Sequence, residues 1–277
     1  MEIKVEKASG LVENLDTAKM RASLIRSGAD IDEVEEIIEK VLSEIEPYTS
    51  TKRIYRLAKK YLRQINRASG LRYSLKSALF RLGPSGYPFE RYIGELMRHY
   101  GYHVNTDVFL EGKCIRHEID VFAVKDNEIS IVECKYHNRS GNFTDVKVAM
   151  YIHSRFEDLW PVLRTHHHNK HLKGWLVTNT RCTSDAIAYA ECTGMNVISW
   201  RYPKDRGLQA MIEDKKLYPV TIISGVKSDL IRKLIGYNIV LLKDLGALEV
   251  KDIQEMLLIS DRQAVALKEQ ANQLFSG

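Results

Sequence analysis

The sequence predicts an α/β chain: a mixed sheet flanked by helices, preceded by a β-hairpin with a helical bundle and followed by a small all-helical unit. Three observations carry this expectation. Residues 117–135, HEIDVFAVKDNEISIVECK, hold two apolar runs around a polar turn. A strand–helix–strand pattern runs from Trp175 to Trp200. Residues 17–62 and 228–274 show apolar residues at helical rather than alternating spacing. The expected units are residues 1–83, 86–205 and 218–277.

In chain order, Ile3 to Lys7 alternates as a strand does, Ala8-Ser9-Gly10 supplies a turn, and Leu11 to Leu15 reads as the hairpin partner. Asp16 is an N-cap opening a helix from Thr17 through Ile25, which Gly28 stops. Asp32 or a neighbour starts a second helix through Ile37, Ile38, Val41, Leu42 and Ile45, ended by Pro47. Ser50-Thr51 then opens a third, with Ile54, Leu57, Ala58 and Leu62 on its inner face.

The middle unit begins with a helix from Pro88, on which Phe89, Ile93, Leu96 and Met97 face the core and Glu90 stands at the start. A strand begins at Gly101 to Val104. The hairpin follows, with Val121 to Val124 in one strand, Asp126-Asn127-Glu128 as the turn, and Ile129, Ile131 and Val132 in the other. Asp120 opens the first run and Glu133-Cys134-Lys135 closes the second. Alternation sends Glu133 and Lys135 to one face and Cys134 to the other. Two carboxylates and an amine then converge at a strand end. A hard divalent cation needs such carboxylates, and a neighbouring lysine can hold or polarise an attacking water. Trp175 to Asn179 reads as a further core strand, Ser184 to Glu191 as a helix, and Gly194 to Trp200 as the last strand.

Over about residues 86 to 202, this order of elements and residues resembles the PD-(D/E)xK nuclease superfamily, and within it the Mrr-like restriction-endonuclease branch. The resemblance implies a restriction-endonuclease-like fold and metal-assisted hydrolysis of DNA. Asp120 and Glu133 would hold Mg²⁺ (or Mn²⁺) with the main-chain oxygen of Cys134. Lys135 would position the water, and Glu90 would complete the catalytic set.

The hairpin and helices of residues 3 to 82 resemble the ATP-cone domain, a nucleotide-sensing module. Val5, Lys7 and Gly10 match its first hairpin, Glu13, Asp16 and Lys19 its second strand and first helix, and Thr51 the opening of the third helix. The resemblance implies ATP or dATP as a regulatory ligand, with Lys7 and Lys19 toward the phosphates and Glu13 and Asp16 toward base and ribose. The chain departs from the pattern at Ala8, where the module carries a second cation. It has no P-loop, which speaks against ATP hydrolysis by that route.

Residues 218–277 show helical spacing over Ser228–Ile235, Leu241–Leu245, Val250–Leu258 and Ser260–Leu274. The spacing resembles tandem helix-hairpin-helix modules, which grip nucleic-acid backbones. Ser224-Gly225-Val226-Lys227 suits the first hairpin, while the region of Leu258-Ile259-Ser260 lacks the second one's glycine. A packing or dimerisation role, and so a homodimer, stays open.

Composition fits this organisation. The 277 residues carry a net charge of +5, mildly favouring polyanionic partners. The densest basic run is Arg53, Arg56, Lys59, Lys60, Arg63, Arg67 and Arg72. Four cysteines (Cys114, Cys134, Cys182, Cys192) form no CxxC pair, which argues against a zinc knuckle or a disulfide scaffold. His166, His167, His168 and His171 read as a surface loop or helix end, since consecutive histidines cannot all face one ion. With no signal-peptide pattern and no membrane-length apolar run, the expectation is a cytoplasmic endonuclease acting on DNA, without a membrane. The alternative is a nucleotide-responsive DNA-binding or assembly protein that does not cut.

Overall fold

The computed structural model describes residues 3–7, 9–139 and 141–275. Ala8, where the chain departs from the ATP-cone pattern, lies outside them. Strands β1 (Lys4–Glu6) and β2 (Val12–Asn14) form an antiparallel hairpin with Val5 opposite Glu13. Gly10, at φ 79°, makes the turn in the left-handed region that glycine enters without a Cβ clash. The Asp16 carboxylate accepts from Lys19 N at 3.0 Å and opens α1 (Thr17–Arg26). Helix α2 (Ile31–Ser43) starts at the residue before Asp32. Asp30 caps it, in a reciprocal pair with Glu33.

A two-residue strand, β3 (Thr49–Ser50), runs parallel to β1 and leads into α3 (Thr51–Ile65), capped by Ser50. Nothing in the sequence pattern marks β3, because two residues show no alternation. Val5, Leu24, Val34, Ile37, Val41, Ile54, Ala58 and Leu62 close this unit's own core.

Helices α4 (Arg67–Arg72) and α5 (Leu75–Leu79) follow. Their Leu71, Leu75 and Leu79 leave that core and pack into the one shared by the middle and C-terminal units. Arg72 Nε to Ser27 O (3.0 Å) and Ser69 Oγ to Gly28 O (3.1 Å) tie them back to the first unit.

The middle unit comprises α6 (Tyr87–His99), β4 (His103–Glu111), β5 (Arg116–Lys125), β6 (Glu128–Lys135), β7 (Phe143–Thr144), α7 (Val146–His166), β8 (His171–Thr178), β9 (Arg181–Cys182), α8 (Ser184–Cys192) and β10 (Asn196–Ile198). The main sheet has the order β10-β8-β6-β5-β4. β4, β5 and β6 pair antiparallel, while β6, β8 and β10 pair parallel, so the sheet is mixed. Phe89, Tyr92, Ile93 and Leu96 of α6 cover one face through Val121, Ala123, Val132 and Val177. Ile152, Phe156 and Leu159 of α7 and Ala186 and Ala190 of α8 cover the other through Ile129, Ile131 and Leu176. This is a restriction-endonuclease-like α/β architecture. The histidine run ends α7 and enters β8, where His171 N bonds Asn127 O at 2.8 Å.

Beyond the sheet come α9 (Leu208–Asp214), a 3-10 turn at Val220–Ile222, α10 (Ser228–Gly236), α11 (Leu242–Ala247), α12 (Val250–Leu257) and α13 (Asp261–Gln273). Helix α9 occupies a stretch that reads in sequence as a charged boundary. It is short, yet its Leu208 and Ile212 are fully buried. Tyr92 of α6 donates to Leu217 O at 2.7 Å and Thr221 to Ala78 O at 2.7 Å, so the helical C-terminus shares the α6-side core. Among the described residues no helix is long and apolar enough to cross a membrane.

Candidate active site

The ladder between β5 and β6 ends at Val121 opposite Val132, one residue short of Asp120 and Glu133. β5 goes on pairing with β4 while β6 goes on pairing with β8. The two carboxylates therefore stand where the strands part. The alternation of β5 also breaks there: Val121 packs on the α6 side but Ile119 on the α7 side. Across from this break, Thr106 pairs with Val121 and Val108 with Ile119, leaving Asp107 beside Asp120 outside the ladder at φ 56°. A non-glycine residue in the left-handed region marks a local kink.

The fork is crowded with negative charge. Asp120, half-buried, accepts from Cys134 N at 2.7 Å, and burial still raises its carboxyl above the usual range. Glu133 is only 5% exposed. Burial, then the charge of Asp120, pushes it up to about 8, although Arg155 of α7 pulls the other way. Arg155 Nη1 donates to Glu133 Oε2 at 2.5 Å, and its Nη2 donates to the Glu118 carbonyl. Glu133 Oε1 is buried with no partner. Glu90, at the first turn of α6, is pushed up to about 7 by burial and then by Asp120, Asp107 and Glu118. Gly86 makes room for it, since a Cβ there would stand 2.7 Å from Glu90 Oε1. Lys135 ends β6 exposed, and no described residue forms an ion pair with it.

The residues singled out in the sequence thus converge: Glu90, Asp120 and Glu133 perturb one another, and Lys135 lies two residues along the strand from Glu133. Arg155, Asp107, Glu118 and Gly86 were not singled out. The contact of Arg155 with Glu133 crosses 22 residues, and periodicity carries no trace of it. No group of three or more His, Cys, Asp or Glu side chains among the described residues is gathered closely enough to hold a metal by itself. The donor set nonetheless suits Mg²⁺, which takes one or two carboxylates and keeps several waters. An unpartnered, buried Glu133 oxygen beside a second carboxylate is where a cation would relieve the crowding.

A clamp holds the fork from behind. Asp158, one turn beyond Arg155 on α7, accepts from Cys114 N at 2.8 Å and Ile115 N at 3.2 Å, and its Oδ2 lies 2.8 Å from His117 Nε2. The His117 contact, with these N–H donors, holds the Asp158 carboxyl down at about 2. A cavity of about 610 Å³ lined by residues such as Tyr100, Trp175 and Tyr202 opens beside edge strand β10, and none of the site carboxylates lines it.

In the N-terminal unit the hairpin register gathers Val5, Lys7 and Glu13, with Asp16 just after β2 and Thr51 starting α3. Val5 is a core residue. Lys7 pairs with Glu13 at 2.5 Å and Lys19 with Asp16 at 3.0 Å, so both ammonium groups already have carboxylate partners.

Comparison with known proteins finds two family matches along the chain. Residues 85–193 match a family described as the nuclease-related domain, and residues 218–275 match one described as AF1548-like, C-terminal. An uncharacterized protein of Archaeoglobus fulgidus is 31% identical over 166 residues, 59% of this chain and 89% of that one. A solved structure described as a protein of unknown function, AF1548, superposes with a TM-score of 0.59 at 29% identity, covering 70% of this chain and all of that one. The chain therefore belongs to one family with the Archaeoglobus protein, with a nuclease-related match over its middle and an AF1548-like match at its C-terminus.

Proposed function

We propose that this chain is a metal-dependent endonuclease of the PD-(D/E)xK type, on the Mrr-like branch, that hydrolyses DNA phosphodiester bonds. The observation that carries the reading is the fork at Asp120 and Glu133. Two carboxylates crowd there at elevated pKa, one with a buried unpartnered oxygen, and a lysine with no ion-pair partner among the described residues follows on the same strand.

Asp120 and Glu133, with the main-chain oxygen of Cys134, would hold Mg²⁺ or Mn²⁺. When bound, the cation supplies a lowered pKa for water and offsets charge on the phosphate. Arg155 keeps Glu133 oriented and favours its ionised form. Lys135, with no carboxylate partner among the described residues, orients the attacking water and steadies negative charge on the phosphate. Glu90, with a pKa of about 7, is poised to accept a proton from that water near neutral pH.

The N-terminal unit, in this reading, is an ATP-cone that binds ATP or dATP through Lys7 and Lys19 after their partners Glu13 and Asp16 turn to the base and ribose. A nucleotide alters cleavage only if it binds two arrangements of the unit with different affinity.

The test is purified protein with supercoiled plasmid and Mg²⁺ or Mn²⁺, with and without ATP or dATP, beside Glu133→Ala and Lys135→Ala. Nicking or linearisation by the wild type alone is the expected result. Equal activity of either variant refutes the site, and absence of cleavage on plasmid, methylated, branched and single-stranded DNA refutes the nuclease.

A further inference from the structure

The exposed aromatic rings of the middle unit are not scattered. Each of those between residues 86 and 205, among the described residues, carries an arginine on its face, and three of the four pairs lie on elements that carry or hold a fork residue. Tyr87 holds Arg91 at 4.7 Å from its ring, and Glu90 stands between them at the start of α6. Phe109 holds Arg116 at 4.5 Å and lies opposite Glu118 in the β4–β5 register, two residues from Asp120. Tyr151 holds Arg155 at 5.9 Å, the arginine that also bonds Glu133.

Phe143 holds Arg181 at 4.7 Å on the other side. Its neighbour Thr144 lies 3.0 Å from the ring of His137, two residues past Lys135. Of these arginines, Arg155 has the Glu133 pair and Arg116 an exposed, 3.7 Å contact with Glu111. Arg91 and Arg181 form no ion pair with a described residue.

Packing alone would bury apolar rings, and phosphate attraction alone would need only cations. Rings left in solvent beside cations, around the site, serve both faces of a nucleotide. The guanidinium meets phosphate, and the ring or the guanidinium plane meets a base. A duplex keeps its base faces stacked inside and cannot use the rings; an unpaired strand can.

Resting on the nuclease reading above, we propose that the site takes an unpaired DNA strand, held by this arginine–aromatic rim, in preference to intact duplex.

The test is fluorescence anisotropy of labelled oligo(dT) and of a mixed-sequence duplex of equal length, both with the Glu133→Gln protein in EDTA so that nothing is cut. The same titrations are repeated with Phe143→Leu and Tyr151→Leu added. Both rings are exposed, so leucine leaves the core intact, and a melting curve checks it. The single strand should bind at least about ten-fold tighter than the duplex, and each ring removed should weaken it by about ten-fold with little change for the duplex. A 2-aminopurine probe in the single strand should lose fluorescence on binding through stacking, and regain it in the leucine variants. Duplex binding equal to or tighter than single-strand binding overturns the proposal, as does unchanged single-strand affinity in the leucine variants. Cleavage of plasmid and of the same labelled single strand by the unmodified protein with Mg²⁺ reports separately on the nuclease reading. Cleavage without strand preference sinks only the rim, and preference without cleavage sinks only the chemistry.

Discussion

Replacing Glu133 with glutamine should stabilise the metal-free protein at alkaline pH while removing its activity. Glu133 is 5% exposed, and its pKa stands at about 8 against an ordinary value of 4.5. Because the folded value lies above the unfolded one, the folded state holds the proton more tightly. Stability from this group is full below about pH 4.5 and is lost as pH rises through about 8. At about 1.4 kcal/mol per pH unit, the ionised carboxylate costs on the order of 5 kcal/mol. Sharing of protons with Asp120 and Glu90 lowers that figure.

Glutamine keeps the neutral form at every pH. Its carbonyl can still accept from Arg155, and its amide takes the place of the unpartnered Oε1. Melting curves in EDTA should therefore coincide near pH 4.5 and separate by roughly 5–15 °C near pH 9, the glutamine variant higher. Added Mg²⁺ should raise the wild type and leave the variant unmoved. A wild-type melting temperature that is flat between pH 4.5 and 9, or a glutamine variant no more stable at the upper end, would refute the carboxylate-crowding argument.

Other perturbations test other parts of the site. Arg155→Met should raise the Glu133 pKa further and reduce cleavage by about 10- to 100-fold, with a higher Mg²⁺ requirement in a metal titration; unchanged metal dependence would remove Arg155 from the site. Gly86→Ala should push the Glu90 carboxylate aside and cut the rate by up to about 100-fold at an unchanged melting temperature, read from single-turnover cleavage. The rate of the wild type should climb with pH through about 7 as Glu90 ionises, and Glu90→Gln should flatten that limb of the profile. Isothermal titration with ATP, dATP and ADP should give heat that Lys7→Ala diminishes. No heat at millimolar nucleotide would end the ligand proposal.

Much of the architecture was legible because its signals are local. The caps at Asp16 and Ser50 and the hairpin turn at Asp126-Asn127, with Glu128 already paired to Lys125, each act within a few residues. Strand alternation likewise put Asp120, Glu133 and Lys135 at one end of the sheet. What was illegible is long-range or too short to show a period. The β3 strand has two residues, and α9 sits among charges that disguise its two buried apolar residues. The break in alternation at Asp120 depends on the kink at Asp107 in a neighbouring strand. The electrostatics of Glu133 depend on Arg155, whose side chain reaches the site only because α7 crosses that face of the sheet.

The Asp158 clamp makes the 112–115 turn an unusual loop. Exposed hairpin tips ordinarily accept extra residues at little cost, since closing a slightly longer loop takes only a fraction of a kcal/mol, on the order of 0.6 per doubling of length. Here a single carboxylate on α7 fixes two amides of the tip and the His117 imidazole of β5, one helical turn from the arginine that steadies Glu133. The β5 strand and α7 are thus indexed against each other like two rulers pinned at one mark. Lengthening the tip would slide one ruler past the other, and the first position to fall out of register would be the one where Asp120 and Glu133 meet.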